Sequence, residues 1–183
     1  MPAVRPSPAA YHHVLSLRVV RCFRPDPIPS EEMTAVLEAG RWTGSSKNRQ
    51  GWAFIVVDGR PGLERLATAG SFTGPVLASA ATVVVVRLPG GNDFDIGRVA
   101  QNMMLAAAAR GLGSCPITLH DRERAREVLA LPEEHEATWA IALGYPDEEA
   151  EAEQRRRAAA AGFTGRRPLA DLVHHSRFGE RPS

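Results

Sequence analysis

Several kinds of functional site are missing from this sequence, beginning with those that cysteine builds. Only Cys22 and Cys115 occur in 183 residues, with no CxxC motif and no histidine at ligand spacing. The sequence therefore predicts neither a zinc site nor a disulfide framework, and a reducing, cytoplasmic setting is expected. Motifs of the GxSxG, Walker and HExxH types are also missing. The Gly-rich stretch Gly111–Cys115 follows a predicted helix instead of opening one, which argues against a dinucleotide-binding fingerprint.

Charge and hydropathy exclude further classes of protein. The formal net charge is +1, whereas a general nucleic-acid binder normally carries a basic face or stripe. Apolar stretches such as Ala78–Val86 are too short to span a bilayer, and the first residues lack the apolar run of a secretory signal. With 44% hydrophobic and 23% charged residues, we expect one soluble globular domain over residues 1–183, without membrane or nucleic-acid partners.

Proline, glycine and apolar periodicity divide the chain into helices and strands. The run ATVVVVRL, at Ala81–Leu88, is the clearest strand, and its unbroken apolar character predicts burial on both faces of a sheet. Because strands and helices do not alternate regularly, the order favours an α+β fold with helices around four or five strands. Ser30 is expected to cap a helix, and Asp93 or Asp95 to cap another that Gly111 ends. The predicted helices are Ala9–Leu17, Ser30–Arg41, Pro61–Ala69, Asp93–Arg110 and Asp121–Ala130, and the other strands begin at Trp52, Gly113 and Ala137.

Three segments carry expectations about burial. The helix that contains QNMMLAAAAR is poor in charge on nearly every face, so we expect it inside the molecule or at a subunit contact. The segment EEAEAEQRRR is typical of a solvated helix, with Glu151–Arg155 and Glu153–Arg157 pairs four residues apart. The tail, residues 166–183, carries apolar side chains that need a surface to cover, so it is expected to dock.

Two polar clusters are candidates for ligand binding. Arg18 and Arg21 lie three residues apart and are followed by Phe23 and a proline-rich turn, and a polar loop stands directly before the first strand. Guanidinium groups suit phosphate, while hydroxyl and amide groups suit the edge of a heterocycle. Taken singly, an arginine pair is more often a solvated face, and SSKN is a plausible simple turn. The polar side chains of the loop are Ser45, Ser46, Asn48 and Gln50.

Taken together and in order, these stretches resemble the FMN-dependent nitroreductase family. The matching segments are LRVVRCF, PDPIPSEEM, EAGRWTGSSKNRQGWAFIVV, FDIGRVAQNMMLAAAARGLGSCPITL, LGYP and RRPLADLV. The resemblance extends from about Ser16 to Phe178. It implies a single FMN-binding domain with a mostly antiparallel sheet, assembled as an intertwined homodimer.

The resemblance also implies a set of flavin-binding residues. Arg18 is expected to hold the phosphate or ribityl chain, and Arg21 to lie near N1 and O2 of the ring. The serines and the asparagine are expected to come from the partner subunit, the Pro116–Thr118 stretch to pass the N5 or dimethylbenzene edge, and Arg166 to bind phosphate. The cofactor-binding positions are Arg18, Val19, Arg21, Ser45, Ser46, Asn48, Pro116, Ile117, Thr118 and Arg166.

Some positions depart from the family's pattern. Leu17 and Val19 stand where the family usually has Arg or Lys and Ser, so two phosphate contacts are lost. Gly44 and Gly51 replace prolines. The middle of the chain, Gly70–Asp93, is short where the family covers its substrate with insertions, which predicts an open pocket.

The implied activity is a ping-pong oxidoreduction. A nicotinamide donor passes hydride to flavin N5 and leaves, and a small acceptor such as a nitroaromatic or quinone takes the electrons, with no side chain required as a general acid. Two alternatives stay open: another reaction on the same fold (flavin destruction, reductive dehalogenation or heterocycle oxidation), and a flavin-binding module without turnover. The sequence does not select among NADH, NADPH and a deazaflavin as the donor, and it does not name the acceptor.

Overall fold

The fold is given by a computed structural model that describes residues 6–163 and 165–180. In those residues the helices are α1 (Pro8–Ser16), α2 (Ser30–Arg41), α3 (Arg60–Ala67), α4 (Gly74–Ala78), α5 (Asp93–Ala109), α6 (Arg122–Val128) and α7 (Glu148–Ala160). The strands are β1 (Trp52–Asp58), β2 (Ala81–Arg87), β3 (Gly113–Thr118) and β4 (Glu136–Gly144). Short 3-10 turns lie at Ser46–Asn48 and Leu169–Asp171.

The strands form one antiparallel sheet in the spatial order β1-β2-β4-β3. β2 lies in the middle, where Val84 stands opposite Ile55 of β1 on one side and Ala140 of β4 on the other. Residues 81–86 of β2 are all buried, as the unbroken apolar run predicted. The α+β class and the antiparallel sheet of four strands are therefore confirmed.

Two apolar clusters form the core, and the alternation of side chains along β2 separates them. Val84 belongs to one cluster with side chains of α3, α4 and α6, whereas Val83 and Val85 belong to the other with α2 and α5. In α5, Val99 and Met103 are fully buried. The charge-poor helix therefore lies inside the molecule, as predicted.

The helix ends differ from the sequence expectation at two caps. Ser30 is the first residue of α2 instead of its cap, and Pro29 precedes it without a side-chain hydrogen bond. Asn92 caps α5, and its side chain accepts the N–H of Asp95 at 2.9 Å. Asn92 has the extended backbone that a cap needs, whereas the aspartates already lie inside the helix. Gly111 follows α5 with φ +75°, as expected for a helix stop.

The chain divides into two compact units, with the boundary after Glu151. The first unit contains the sheet, and the second contains most of α7 and the 3-10 turn. Arg157 of α7 pairs with Glu153 at 2.9 Å, as predicted. Glu151 is only 3% exposed, so the prediction of a solvated helix is wrong at this residue. Docking of the tail stays a prediction.

The described residues contain neither a candidate membrane span nor a candidate metal-binding cluster. None of the helices in these ranges combines the length and apolarity that a bilayer crossing requires. The same residues contain no group of three or more His, Cys, Asp or Glu side chains placed to share a metal ion.

Candidate functional site

The segment that carries both candidate arginines is fixed on each side of Arg21 by backbone hydrogen bonds. The N–H of Val20 donates to the carbonyl of Ser114 on β3 at 2.9 Å. The N–H of Arg24 donates to the carbonyl of Tyr145, just after β4, at 2.9 Å. The segment thus crosses from the edge of β3 to the chain that follows β4, and Arg21 lies at the crossing.

Two glycines allow this segment to approach the sheet closely. A Cβ atom on Gly113 would lie 2.6 Å from Val20, and one on Gly144 would lie 2.9 Å from Phe23. Carbon atoms in packed interiors approach to about 3.5–4.0 Å, so neither position tolerates a side chain without displacing its neighbour. The position of the arginine segment therefore depends on these two glycines.

A buried carboxylate holds the centre of the segment. The N–H groups of both Arg21 and Cys22 donate to Oε1 of Glu151, the second at 2.7 Å. In return, the N–H of Asp147 donates to the carbonyl of Cys22 at 3.0 Å. The side chain of Asp147 also accepts the N–H of Ala150, which caps the start of α7. The segment and the first turns of α7 are thus tied in both directions.

A cavity of about 590 Å³ lies beside Arg21, a volume within the usual range of small-molecule pockets. Arg21 gives this cavity positive charge, while a proline, an isoleucine and a phenylalanine give it apolar walls. The lining residues are Arg21, Ser71, Phe72, Gly74, Pro75, Cys115, Pro116 and Ile117.

The outer edge of β3 approaches this cavity at Pro116. The carbonyl of Ser114 points outward to Val20, whereas the N–H of Leu119 points inward to β4, where it donates to Thr138 at 2.9 Å. Because backbone groups alternate in direction along a strand, the N–H of Thr118 points outward. Pro116 has no N–H to offer, and proline is typical of such edges.

The structure brings together three of the predicted site residues, Arg21, Pro116 and Ile117, which line one cavity. Arg18 lines a different hollow of about 290 Å³ together with Ser114. The hydroxyl of Ser114 is buried and has no hydrogen-bond partner within the described residues. The two arginines therefore face different hollows beside β3.

The other predicted residues of the first unit lie apart from the Arg21 cavity. Val19 is partly buried and packs against both apolar clusters, so its side chain serves the core. Ser45, Ser46 and Asn48 lie in the exposed loop between α2 and β1, and they are not among the described residues that line the cavity. Arg166 belongs to the second unit, where it is exposed and donates to the carbonyl of its neighbour at 2.9 Å.

The serine loop has an unusual backbone. Lys47, Asn48 and Gln50 have φ angles of 53°, 52° and 48°, so they account for three of the five described non-glycine residues in the left-handed region. The hydroxyl of Ser45 accepts the N–H of Gln50 at 2.9 Å and helps to hold this shape. Such strain costs on the order of 1–3 kcal/mol for each residue and is concentrated at functional sites.

Both thiols near the cavity are held in the neutral form. Burial raises the pKa of the Cys115 thiol, which Arg21 lowers and Glu151 raises to smaller extents. Burial and Glu151 likewise raise the pKa of Cys22. Because the thiolate is the nucleophile, neither cysteine is an activated nucleophile at neutral pH.

Sequence reasoning missed the loop between α3 and α4, which supplies Ser71 and Phe72 to the cavity, and the start of α4, which supplies Gly74 and Pro75. Phe72 is 81% exposed, and its ring meets that of His120 edge-on at 6.5 Å. This stretch has no charged residue, and its only signals are an exposed aromatic and the Gly-Pro pair that opens α4. The role of Glu151 was missed because its helix shows no apolar face.

Comparison with known proteins identifies the family and the fold. The model of the Nitroreductase family matches residues 16–87 and 70–145. The nitroreductase NfnB of Mycolicibacterium smegmatis is 28% identical in an alignment that covers 81% of this chain and 88% of that protein. Two solved structures share the fold.

The first is a Desulfovibrio desulfuricans protein in complex with FMN, with a TM-score of 0.79 and 24% identity over 94% of this chain and 99% of that one. The second is the NADPH:FMN oxidoreductase of Vibrio harveyi complexed with NAD+, with a TM-score of 0.79 and 24% identity over 93% of this chain and 78% of that one. On the evidence of the matched residues, the chain belongs to the nitroreductase family.

Proposed function

We propose that this protein is an FMN-dependent oxidoreductase that passes electrons from a nicotinamide donor to a small acceptor such as a nitroaromatic or a quinone. The observation that carries the proposal is the cavity beside Arg21, which combines a cation with apolar walls. Membership of the nitroreductase family supports it, as do FMN in the Desulfovibrio structure and the name of the Vibrio enzyme. When bound, FMN supplies the hydride-accepting and hydride-donating atom N5.

The residues present suit the parts of this cofactor. We propose that Arg21 faces the electron-rich N1 and O2 edge of the ring. Pro116 and Ile117 offer an apolar wall, and the outward N–H of Thr118 is a donor suited to N5. Arg18 suits the ribityl chain and phosphate, and it shares its hollow with the Ser114 hydroxyl, which has no hydrogen-bond partner in the described part of the chain.

We further propose that a second copy of the chain completes the site. The loop Ser45–Asn48 is its expected contribution. Large apolar side chains are exposed on the surface of one chain, and burial against a second copy would cover them. They include Tyr11, Val14, Leu15, Trp42 and Phe94, which are between 53% and 76% exposed.

The open cavity supports alternate binding of donor and acceptor in one place, which is the ping-pong scheme. Phe72 and Pro75 give flat, apolar contacts of the kind that planar acceptors and nicotinamide rings need. A flavin-binding module without turnover is the second candidate. It is favoured by Leu17 and Val19, which pack in the core and offer the ligand no polar atom.

The purified protein tests both candidates. We expect flavin absorption bands, FMN as the released cofactor by mass spectrometry, and about one FMN per chain. We also expect steady-state oxidation of NADH or NADPH when a quinone or nitroarene is added. A protein that neither carries nor binds FMN contradicts the proposal. A yellow protein whose flavin no donor reduces would favour the binding module.

A further inference from the structure

Arg21 and Cys22 present their backbone N–H groups at a point where the sheet does not bind them. The segment pairs with β3 through Val20 and with the chain after β4 through Arg24, so Arg21 and Cys22 lie where it changes partner. A polar backbone group buried without an acceptor is costly, and most such groups in proteins are therefore paired. Some group other than a neighbouring strand must accept these two hydrogen bonds.

Glu151 provides that acceptor from a distance of about 130 residues along the chain. One oxygen of its carboxylate accepts both N–H groups, and the side chain is 3% exposed. Hydrogen bonds to an ionised acceptor are roughly twice as strong as neutral ones. The helix that carries Glu151 is itself fixed, because Asp147 caps it and donates its N–H to the carbonyl of Cys22. The carboxylate therefore sets the position of the backbone from which the Arg21 side chain extends.

The carboxylate of Glu151 lies close to the cavity, because it accepts the N–H of Arg21, which is one of the lining residues. The Cys115 thiol lines the cavity, and its pKa, which burial raises, is lowered by Arg21 and raised by Glu151. The two charges thus act on the same place with opposite signs. Removing the negative charge while keeping the acceptor would leave Arg21 in place and increase the positive potential at the cavity.

We propose that Glu151 is a positioning residue for the cavity: its carboxylate fixes the backbone of Arg21, and its negative charge offsets the guanidinium that faces the ligand. The second half of this inference rests on the proposed flavin function, whereas the first half does not. Loss of the acceptor and loss of the charge should therefore have separate consequences.

Three variants separate these consequences. Glu151→Gln keeps an oxygen acceptor of the same shape and removes the charge, whereas Glu151→Ala removes both. Glu153→Gln is the matched control, because it removes the same charge from the same helix, at a carboxylate that pairs with Arg156 and Arg157. Amide hydrogen exchange of Arg21 and Cys22 reports on the clamp, that is, on their two hydrogen bonds to Glu151, and it needs no flavin. A spectroelectrochemical titration of the FMN-loaded protein reports on the effect of the Glu151 charge.

We expect Glu151→Ala to lose exchange protection at Arg21 and Cys22 and to bind FMN at least about tenfold more weakly. Glu151→Gln should keep most of that protection and raise the flavin midpoint potential above those of the wild type and Glu153→Gln.

Unchanged protection in Glu151→Ala would overturn the clamp. If Glu151→Ala does not fold, hydrogen exchange in Glu151→Gln still tests the clamp. Because glutamine keeps the oxygen acceptor, loss of protection in that variant would contradict the clamp. A potential in Glu151→Gln that equals that of Glu153→Gln would overturn the charge role. A wild-type protein without FMN would refute the proposed function and, with it, the charge role, while the exchange data would still decide the clamp.

Discussion

The segment around Arg21 and the loop Ser45–Gln50 carry polar groups for the same proposed ligand, yet their structures differ. The Arg21 segment is bound on both sides by backbone hydrogen bonds, is held at its centre by Glu151, and opens onto a cavity. The loop is exposed, has three non-glycine residues in the left-handed region, and lies apart from that cavity.

This difference shows what one chain can complete and what it cannot. In our proposal, β3, the Arg21 segment and the loop after α3 form the surface for one side of a planar ligand, all within the first unit. The strained loop is not among the described residues that line this cavity, although strain that folding maintains is typical of a functional role. A second copy of the chain would give the loop its ligand and would cover the exposed apolar side chains.

The largest expected effect is on the well-anchored region. Gly113→Ala places a Cβ atom against Val20, which has no flexible end to move aside, so the arginine segment must shift. We expect a loss of about 1–3 kcal/mol in the free energy of unfolding, together with weaker FMN binding. Denaturant unfolding and fluorescence titration measure the two effects. Gly97→Ala, where no atom lies within 4 Å, is the control, and equal stability in both variants would refute the close-approach account.

A smaller effect separates the two arginines of this region. Arg21→Gln should lower the flavin midpoint potential by a few tens of millivolts, because a guanidinium near N1 and O2 stabilises the reduced flavin, and screening leaves roughly 1.4 kcal/mol of that attraction. Arg18→Gln should mainly weaken FMN binding, since Arg18 lines the other hollow. A spectroelectrochemical titration at saturating FMN measures the midpoint potential of each variant and separates the two roles. If both variants keep the same potential, Arg21 is an anchor and the assigned role is wrong.

The smallest effect concerns the strained loop. Lys47→Gly relieves a left-handed backbone conformation and should raise the free energy of unfolding by about 0.5–1 kcal/mol. The freed loop should bind FMN more weakly, because it loses its preset shape. Ala130→Gly relieves a similar φ of 50° in the turn after α6 and should stabilise the fold without changing FMN binding. Equal FMN affinity in the two variants would argue against a role for the loop.

The fold was largely predictable because its strongest elements are local patterns. The valine run of β2 and the charge-poor helix α5 are buried as their sequences indicate, and Gly111 ends α5. The caps at Ser30 and at the aspartates of α5 were predicted one to three residues out of place. Several residues able to cap stand close together there, and backbone angles that local composition does not determine select among them.

The site was only partly predictable, because half of it depends on distant contacts. Arg21, Pro116 and Ile117 were expected to share a ligand through the family resemblance, and they line one cavity. The contribution of Phe72 depends on how the loop after α3 packs beside β3, which no local pattern encodes. Glu151 lies in a run of acids and bases, and its burial is decided by backbone groups about 130 residues away.

Active-site complementation tests the central claim that two copies share one flavin site. Arg21→Gln removes one side of the proposed site, and the triple variant Ser45→Ala, Ser46→Ala, Asn48→Ala removes the other. If the two sides meet across a symmetric dimer, each variant alone should oxidise NAD(P)H several-fold more slowly than the wild type. Unfolding and refolding the two together should then raise the activity above that of either variant by about a quarter of the wild-type rate, because half of the dimers are mixed and each mixed dimer has one intact site. A mixture that is no more active than its components, although mass spectrometry shows mixed dimers, would contradict the account.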